Sequence, residues 1–355
     1  MHRDGCIPPR RHRASTWLYP WIARGDSRVT SVDVARRAGV SQSTVSLVLS
    51  GKSAGRVSAR TEAAVRQAAE ELGYRPNVAA RALRTGTART IGLVVTDVTH
   101  PFFGPVLRGA QIAAWRAGYA VALVDVANDP ERERDSFEAL RAGPVDGFMF
   151  FTIEPPADTG EHLVAIEVSP PGMPYVRFDT VRGTELAMEH LHSLGHRRFG
   201  HLSSALEAET FQLRRDTVAA VLERAGLAPA AERRAQFTFD DAAARARELL
   251  TAADRPTAIY ADDDILAGGV YLAARELGLR IPEDVSVVGF DDLPFARVFD
   301  PPLTTIAIDA ETLGSVAFEV LEAAMSGDGE EKPEARILPV ELILRDSTAP
   351  PPERN

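Results

Sequence analysis

The spacing of apolar residues changes once along the chain, near residue 89. Over residues 30–72 apolar positions recur at helical spacing. Val45, Val48 and Leu49 form one such stripe at i, i+3 and i+4. Gly39 precedes this stripe and can adopt the positive φ of a tight turn. The pattern predicts a helix-turn-helix unit.

Polar residues mark the ends of these helices. Ser41 can accept hydrogen bonds from the free N–H groups that open the second helix, and Ser58 can do the same for a third. The third helix is predicted to end at Gly73. Residues 78–84 are good helix formers, but the run is too short for a stable isolated helix, so it should form only with a partner.

From residue 90 onward, short apolar runs alternate with helical stretches. The predicted strands are Ile91–Val95, Ala120–Val126, Gly147–Phe151, Leu163–Val168, Val176–Phe178, Phe199–Leu202, Ala258–Ala261, Val285–Phe290, Thr304–Ile308 and Ile337–Leu344. The predicted helices span residues 105–117, 131–141, 181–194, 212–225, 240–253, 263–277 and 310–325. This alternation predicts parallel sheets with helices on both faces, and so many strands suit two subdomains better than one. Ligands of such folds bind at the carboxyl ends of the strands.

Charge is distributed unevenly between these two regions. The whole chain of 355 residues has a net charge of −10. Residues 28–89 hold 11 Lys and Arg against 4 Asp and Glu, a net charge of +7, whereas residues 90–355 hold 24 against 44, a net charge of −20. The sequence therefore indicates a basic module that meets a polyanion, joined to an acidic module that does not.

Several classes of protein are excluded or disfavoured. Cys6 is the single cysteine, so no disulfide framework and no cysteine-rich metal site can form. Residues 1–28 contain prolines and arginines where a signal peptide needs an apolar run, and we expect them to be a disordered extension. No apolar stretch is long enough to span a bilayer. These features predict a cytoplasmic protein without a membrane partner.

Catalytic and metal motifs are weak. The chain has neither a nucleophile elbow nor a dinucleotide fingerprint, so we expect no enzyme activity and no cofactor. The histidines at 190, 192, 196 and 201 lack a matched carboxylate in the sequence pattern, and we expect no metal site there. The run Asp262-Asp263-Asp264 leaves alternatives open: it can bind a cation, start the next helix, or face a ligand.

A set of short motifs resembles the LacI/GalR family of transcriptional regulators. In the first region they are Asp33-Val34-Ala35, Ala38-Gly39-Val40-Ser41, Thr44-Val45-Ser46, Val57-Ser58, Leu72-Gly73-Tyr74 and Pro76-Asn77. In the second they are Ile91-Gly92-Leu93-Val94-Val95, Pro101-Phe102-Phe103, Leu194-Gly195-His196, Val285 to Asp292 and Pro302-Leu303-Thr304-Thr305-Ile306. The resemblance covers roughly residues 29–347.

The resemblance implies an all-α helix-turn-helix head with a hinge helix, and an α/β core like a periplasmic binding protein, with two parallel-sheet subdomains. The implied segments are a DNA-binding domain at 29–76, the hinge helix at 77–88, an effector-binding and dimerisation core at 89–347, and a tail at 348–355. Crossovers between the subdomains are expected near 177–180, 306–309 and 334–340.

The resemblance also implies residues that contact DNA. The expected DNA-binding positions are Thr30, Ser41, Gln42, Ser43, Thr44, Ser46, Leu47, Arg56, Asn77, Ala80, Arg81 and Leu83. Gln42, Ser43 and Leu47 are expected to contact base edges, on a helix whose exposed positions we take to be Gln42, Ser43, Ser46 and Leu47. Leu47 departs from the arginine of many relatives and offers only apolar contact. Leu83 is expected to wedge into the minor groove.

A small molecule is implied in the core. The expected effector-binding residues are Phe103, Glu167, Arg214, Asp262 and Asp291. Arg214 and Asp291 would grip ligand hydroxyl groups, and Phe103 would supply an apolar wall. Glu167 and Asp262 replace residues common in relatives, so a sugar is only the default expectation.

The resulting prediction is a homodimeric repressor that binds a palindromic operator and responds to a small molecule. Two other classes stay possible at this stage. One is a solute-binding protein for transport, which the helix-turn-helix head disfavours. The other is a small-molecule enzyme, which turnover of a ligand in the cleft would support.

Overall fold

A computed structural model describes residues 29–51, 53–74, 87–151, 162–327 and 335–353. The chain forms two compact units, residues 1–78 and residues 79–355, which we call the head and the core. The extension predicted at 1–28 lies outside the described residues, and so does most of the predicted hinge helix at 77–88.

Three helices build the head: α1 (Ser31–Ala38), α2 (Gln42–Leu49) and α3 (Ala59–Glu71). Each helix follows a hydroxyl residue whose side chain accepts a hydrogen bond from the N–H three residues later; these residues are Thr30, Ser41 and Ser58. Gly39 ends α1 with φ of 68°, a value that glycine adopts without strain. The buried apolar residues come from all three helices. The predicted helix-turn-helix unit is confirmed.

The first sheet of the core contains six strands. They are β1 (Thr90–Val95), β2 (Ala120–Asp125), β3 (Gly147–Phe150), β4 (His162–Ile166), β5 (Tyr175–Phe178) and β11 (Ala335–Leu338). Their order is β11-β5-β4-β3-β1-β2, and all pairs are parallel. Helices α4 (Phe103–Arg116) and α10 (Ala310–Met325) cover one face, and α5 (Pro130–Arg141) covers the other. We call this layer system the first subdomain.

The second sheet also contains six strands. They are β6 (Phe199–Ser204), β7 (Ala231–Ala235), β8 (Ala258–Ala261), β9 (Ser286–Asp291), β10 (Thr304–Ala307) and β12 (Glu341–Ile343). Their order is β12-β10-β9-β8-β6-β7. Helices α6 (Thr180–Ser193) and α7 (Glu209–Arg224) pack on one face, and α8 (Phe239–Leu250) and α9 (Asp264–Leu277) on the other; a short 3-10 turn, Ala296–Val298, follows β9. This is the second subdomain.

Two details of the sheets differ from the sequence prediction. Strand β7 was not predicted, because Ala231–Ala235 is a polar edge strand with four exposed residues out of five. The single strand predicted at Ile337–Leu344 is two strands, β11 and β12, which belong to different sheets. Strand β12 runs antiparallel to β10, whereas the other strand pairs of this sheet are parallel. The predicted fold class is otherwise confirmed.

The chain passes between the subdomains three times. It leaves the first sheet after β5, returns after β10, and crosses again between β11 and β12. The segment predicted as a tail then packs on the second subdomain: the N–H of Ala349 donates to Ser286 Oγ at 3.0 Å, and its carbonyl oxygen lies 2.9 Å from His196 Nε2. His190 Nε2 lies 2.9 Å from Thr348 Oγ1. These two histidines therefore contact the C-terminal segment.

The packing of α4 against α10 in the first subdomain depends on glycine. A Cβ atom on Gly109 of α4 would lie 1.8 Å from the carbonyl oxygen of Glu311, and one on Gly314 of α10 would lie 1.9 Å from that of Val106. The two helices can therefore approach only because both positions lack a side chain. Among the residues that the structure describes, no helix is both long and apolar enough to cross a bilayer.

Candidate functional site

The start of α2 is the first candidate site. Ser41 Oγ accepts the N–H of Thr44 at 3.1 Å and thereby holds the first turn of the helix. Gln42 and Ser43 are exposed, and Gln42 Nε2 donates to Ser31 Oγ at 2.9 Å, which restrains the amide. This face offers hydrogen-bonding side chains beside the positive end of a helix dipole.

Other predicted DNA-contacting residues are placed differently. Ser46 and Leu47, which were expected to be exposed, are half-buried; they lie between Val45 and Val48, which are buried inside the head. Thr44 is half-buried as well. Asn77, Ala80, Arg81 and Leu83 lie outside the described residues.

The first turn of α1 is closed by a reciprocal pair of side chains. Thr30 Oγ1 donates to Asp33 Oδ2 at 2.7 Å, and the hydrogen bonds from Thr30 lower the pKa of Asp33. Asp33 also forms an ion pair with Arg36 at 3.1 Å, and Arg37 pairs with Glu71. Arg56 is exposed before α3. The head therefore keeps several cations at its surface, where salt can screen them.

The second candidate site is a cavity of about 120 Å³ between the two subdomains of the core. All five predicted effector residues line it: Phe103, Glu167, Arg214, Asp262 and Asp291. Glu167 follows β4, Asp262 follows β8 and Asp291 ends β9, so the carboxylates come from the carboxyl ends of parallel strands. Phenylalanine rings form much of the wall: Phe102, Phe103, Phe151, Phe178, Phe211 and Phe237.

Arg214 is the central cation of this cavity. Its guanidinium carbon lies 3.7 Å from the centre of the Phe290 ring, and Nη1 donates to the carbonyl oxygen of Asp262. Burial alone would lower the pKa of Arg214, but the acidic groups around it, Asp262 and Asp291 among them, raise it, so the charge persists. The buried Nε of Arg214 has no hydrogen-bond partner among the described residues. An unpaired buried donor at a cavity wall is costly unless a ligand or water accepts its proton.

Glu167 and Asp262 are tied to the protein. The carboxylate of Glu167 accepts the N–H of Phe178 at 2.8 Å and the hydroxyl of Thr210 at 3.2 Å, and burial raises the pKa of Glu167. Asp262 Oδ1 lies 2.8 Å from His201 Nε2, and Oδ2 accepts the N–H of Ser204. The expectation that His201 lacks a matched carboxylate is therefore wrong, because β8 brings Asp262 beside it.

His100 and Asp263 are two cavity residues outside the predicted effector set. His100 lies between β1 and α4, and its Nε2 is 3.1 Å from Asp263 Oδ2 on the opposite subdomain. Asp263 also accepts the N–H of Ile265 and so starts α9, as one of the sequence alternatives proposed. His100 directly precedes the Pro-Phe-Phe segment, and its place after a parallel strand was the signal available in the sequence.

The carboxyl groups at this corner influence each other. Burial and the charge of Asp263 raise the pKa of Asp291 well above its usual range. Burial would raise the pKa of Asp263 too, but the nearby His100 side chain outweighs it and lowers that pKa. Asp264 points elsewhere: it accepts hydrogen bonds from Thr305 Oγ1 and Leu293 N, and burial raises its pKa well above the usual range.

Comparison with known proteins identifies both units. Residues 31–77 match the model for bacterial regulatory proteins of the lacI family, and residues 188–348 match a periplasmic binding protein-like domain. The chain is 31% identical over 334 residues to the HTH-type transcriptional repressor CytR of Escherichia coli (strain K12), covering 91% of this chain and 97% of that one. It is 33% identical over 331 residues to the HTH-type transcriptional repressor PurR of Haemophilus influenzae (strain PittEE), covering 90% and 98%.

Solved structures give the same result. The lac repressor dimer bound to operator and the anti-inducer ONPF superposes with a TM-score of 0.82 at 30% identity, over 90% of this chain and 99% of that one. A LacI family transcriptional regulator from Enterococcus faecium with bound ribose superposes with a TM-score of 0.67 at 29% identity, over 74% and 99%.

Proposed function

Because this chain belongs to the lacI family of bacterial regulatory proteins, we propose that it is a homodimeric repressor whose affinity for a palindromic operator is set by a small hydroxyl-bearing molecule in the core cavity. It is a DNA-binding transcriptional regulator by family. The dimer, the operator symmetry and the effector chemistry are the proposed parts. The structures of relatives with operator and with ribose support them.

The proposed DNA contacts follow the exposed polar face of the head. Gln42 and Ser43 read base edges, and Gln42 suits an adenine, which it can bind with two hydrogen bonds. Thr30, Ser41, Ser46 and Arg56 contact the backbone phosphates, Leu47 contacts a thymine methyl group, and Thr44 is a further DNA-binding position of the same helix. Asn77, Ala80, Arg81 and Leu83 contribute the hinge contacts, with Leu83 as the wedge.

One observation carries the effector proposal: the buried Nε of Arg214 has no partner within the described part of the chain, and it lies at the wall of a cavity that Asp291 also lines. A hydroxyl-bearing ligand can accept from Arg214 and donate to a carboxylate of the same cavity. Phe103 and the neighbouring phenylalanine rings offer a surface on which an apolar face of the ligand can pack. The carboxylates of Glu167 and Asp262 form hydrogen bonds with other groups of the protein. Their main role is therefore to hold the cavity wall in place, and direct contact with the ligand is secondary.

A thermal-shift screen of the full-length protein against sugars, nucleosides and nucleobases tests this proposal. A ligand that binds only the folded state raises the melting temperature of the core. Arg214→Ala should lower the affinity for that ligand by about 10- to 100-fold, because the substitution removes the hydrogen bonds that a charged group donates to the ligand. Arg224→Ala, at the exposed end of the same helix, is the matched control. Equal ligand affinity of both variants and the unsubstituted protein would refute the site.

The hinge proposal has its own test. Leu83→Ala should weaken operator binding in a gel-shift assay by removing the apolar wedge, while effector affinity stays unchanged. Leu277→Ala, on the partly exposed surface of α9, is the control. An unchanged operator affinity of Leu83→Ala would refute the proposed insertion of Leu83 into the minor groove.

We assign no catalytic activity or cofactor to the cavity, and we place the protein in the cytoplasm with the DNA that it regulates. The CytR and PurR relatives are transcriptional repressors, which supports this assignment. Turnover of a cavity ligand by the purified protein would contradict it.

A further inference from the structure

A polar contact crosses the cavity from one subdomain to the other. His100 belongs to the first subdomain, and its Nε2 lies 3.1 Å from Asp263 Oδ2 at the start of α9 in the second. The two side chains are 10% and 2% exposed, so water screens this contact far less than it screens the ion pairs of the head. The His100 ring also lies 5.2 Å from the ring of Phe237, again across the subdomain boundary.

The orientation of the imidazole defines what the contact is. Nδ1 accepts the N–H of Phe102 at 3.3 Å, which leaves Nε2 to carry the ring proton. With its proton there, Nε2 is a donor toward Asp263 and a poor metal ligand, although one nitrogen or oxygen atom from each of His100, Asp263 and Asp291 lies within 4.8 Å of the other two. The Nε2 atom forms no well-aligned hydrogen bond with any described residue, so the contact with Asp263 is mainly electrostatic.

The neighbours of this contact belong to the candidate effector site. Asp263 and Asp291 are side by side, and both line the cavity with His100. A ligand hydroxyl that donates to either carboxyl group therefore enters the space into which Nε2 points. His100 and a ligand compete for the same carboxyl pair, and only His100 is attached to the opposite subdomain.

We propose that His100 is a positioning residue of the effector response: its contact with Asp263 holds the two subdomains in the conformation seen here, and effector binding replaces it. The misaligned geometry suits this role, because a weak contact can be displaced by a small ligand. The link to DNA rests on the proposed function, but the contact itself does not.

The distance between the subdomains tests the proposal without any effector. Spin labels at Glu138→Cys on α5 and Glu223→Cys on α7, both exposed, report one distance within a chain. The full chain carries Cys6→Ser and is mixed with an excess of unlabelled chains, so that distances between subunits do not contribute. His100→Ala should lower the population at the distance of the unsubstituted protein, relative to longer distances, by about fivefold, the effect of losing a single partly buried polar contact.

Three further variants make the result decisive. His162→Ala removes an exposed histidine from the same subdomain and should change nothing. His100→Gln keeps a donor and should restore part of the population. Asp263→Asn keeps a residue that can start α9, and in the double variant with His100→Ala the two effects should not add, because they break the same contact.

Unchanged distances in His100→Ala, or fully additive effects of the two substitutions, would overturn the proposal. Failure of the unsubstituted protein to bind any operator would instead refute the proposed function. The distances measured between the spin labels would still test the role of His100. Should His100→Ala fail to fold, His100→Gln and Asp263→Asn decide the question by the same distance measurement.

Discussion

The two candidate sites of this protein are held in place in different ways. In the head, Thr30 bonds to Asp33 and Ser41 to Thr44, three residues apart, and Gln42 bonds to Ser31, eleven residues apart. In the core, Glu167 bonds to Thr210 across 43 residues and His201 to Asp262 across 61. The head presents exposed groups built by local structure, whereas the cavity gathers buried groups that only the complete fold brings together.

This difference predicts how substitutions act. Loss of one local contact in the head removes a small, independent contribution. Loss of a long-range contact in the core disturbs several partners at once, because buried polar groups leave each other unpaired.

The largest effect is expected where α4 and α10 touch. Gly109→Ala places a methyl group 1.8 Å from the carbonyl oxygen of Glu311 and should destabilise the core by about 1–3 kcal/mol or more. The methyl group of Gly104→Ala, on the same helix, would have no atom within 4 Å, so this substitution should leave the stability of the core unchanged or raise it slightly. Urea unfolding measures both. Equal stability of the two variants would show that the core tolerates local changes as the head does.

Base recognition is expected to depend on a single exposed amide. Gln42→Ala should weaken binding to a selected operator by about 1–3 kcal/mol and relax the preference at one base pair. Gln67→Ala, on α3 and bonded to Glu71 within the head, is the control. Gel-shift titrations against the operator and its single-base variants check the result, and loss of affinity without loss of base preference would assign Gln42 to the phosphates instead.

A smaller effect should follow loss of one helix cap. Ser41→Ala removes the acceptor for the N–H of Thr44 and should destabilise the head by about 1 kcal/mol. The loss of stability is measured from the thermal unfolding transition of the head. A loss several times larger would mean that the head is as cooperative as the core.

The contributions of Asp33 in the head and Asp291 in the core should depend on pH with opposite signs. The pKa of Asp33 is lowered, so its contribution to the head is present above the unfolded pKa and is lost as pH falls through the folded value. The pKa of Asp291 is raised, so the contribution of this group to the stability of the core decreases as pH rises from the unfolded pKa toward the folded one. Asp291→Asn should therefore stabilise the ligand-free core at neutral pH, with a benefit that fades in acid. Destabilisation at neutral pH would contradict the burial argument.

The same difference explains what the sequence could predict. Ser41 and Gly39 could be placed because the turn and the cap are local, and the alternation of strands and helices was sufficient for the two sheets. The polar edge strand β7 carries no apolar signal, and the separation of β11 from β12 depends on which sheet each one joins. Five cavity residues were expected through family resemblance, but the pairing of His100 with Asp263 joins positions far apart in the sequence and required the structure.

The most direct test of the account is the salt dependence of operator binding. The affinity of the full-length protein for its selected palindrome, measured between about 50 and 200 mM salt, should fall by about 1,000-fold or more, because the basic head releases counterions from the phosphates. A chain that begins at Thr90 should not bind at any of these concentrations. A shallow salt dependence, or equal binding by the chain that begins at Thr90, would contradict the assignment of DNA recognition to the head.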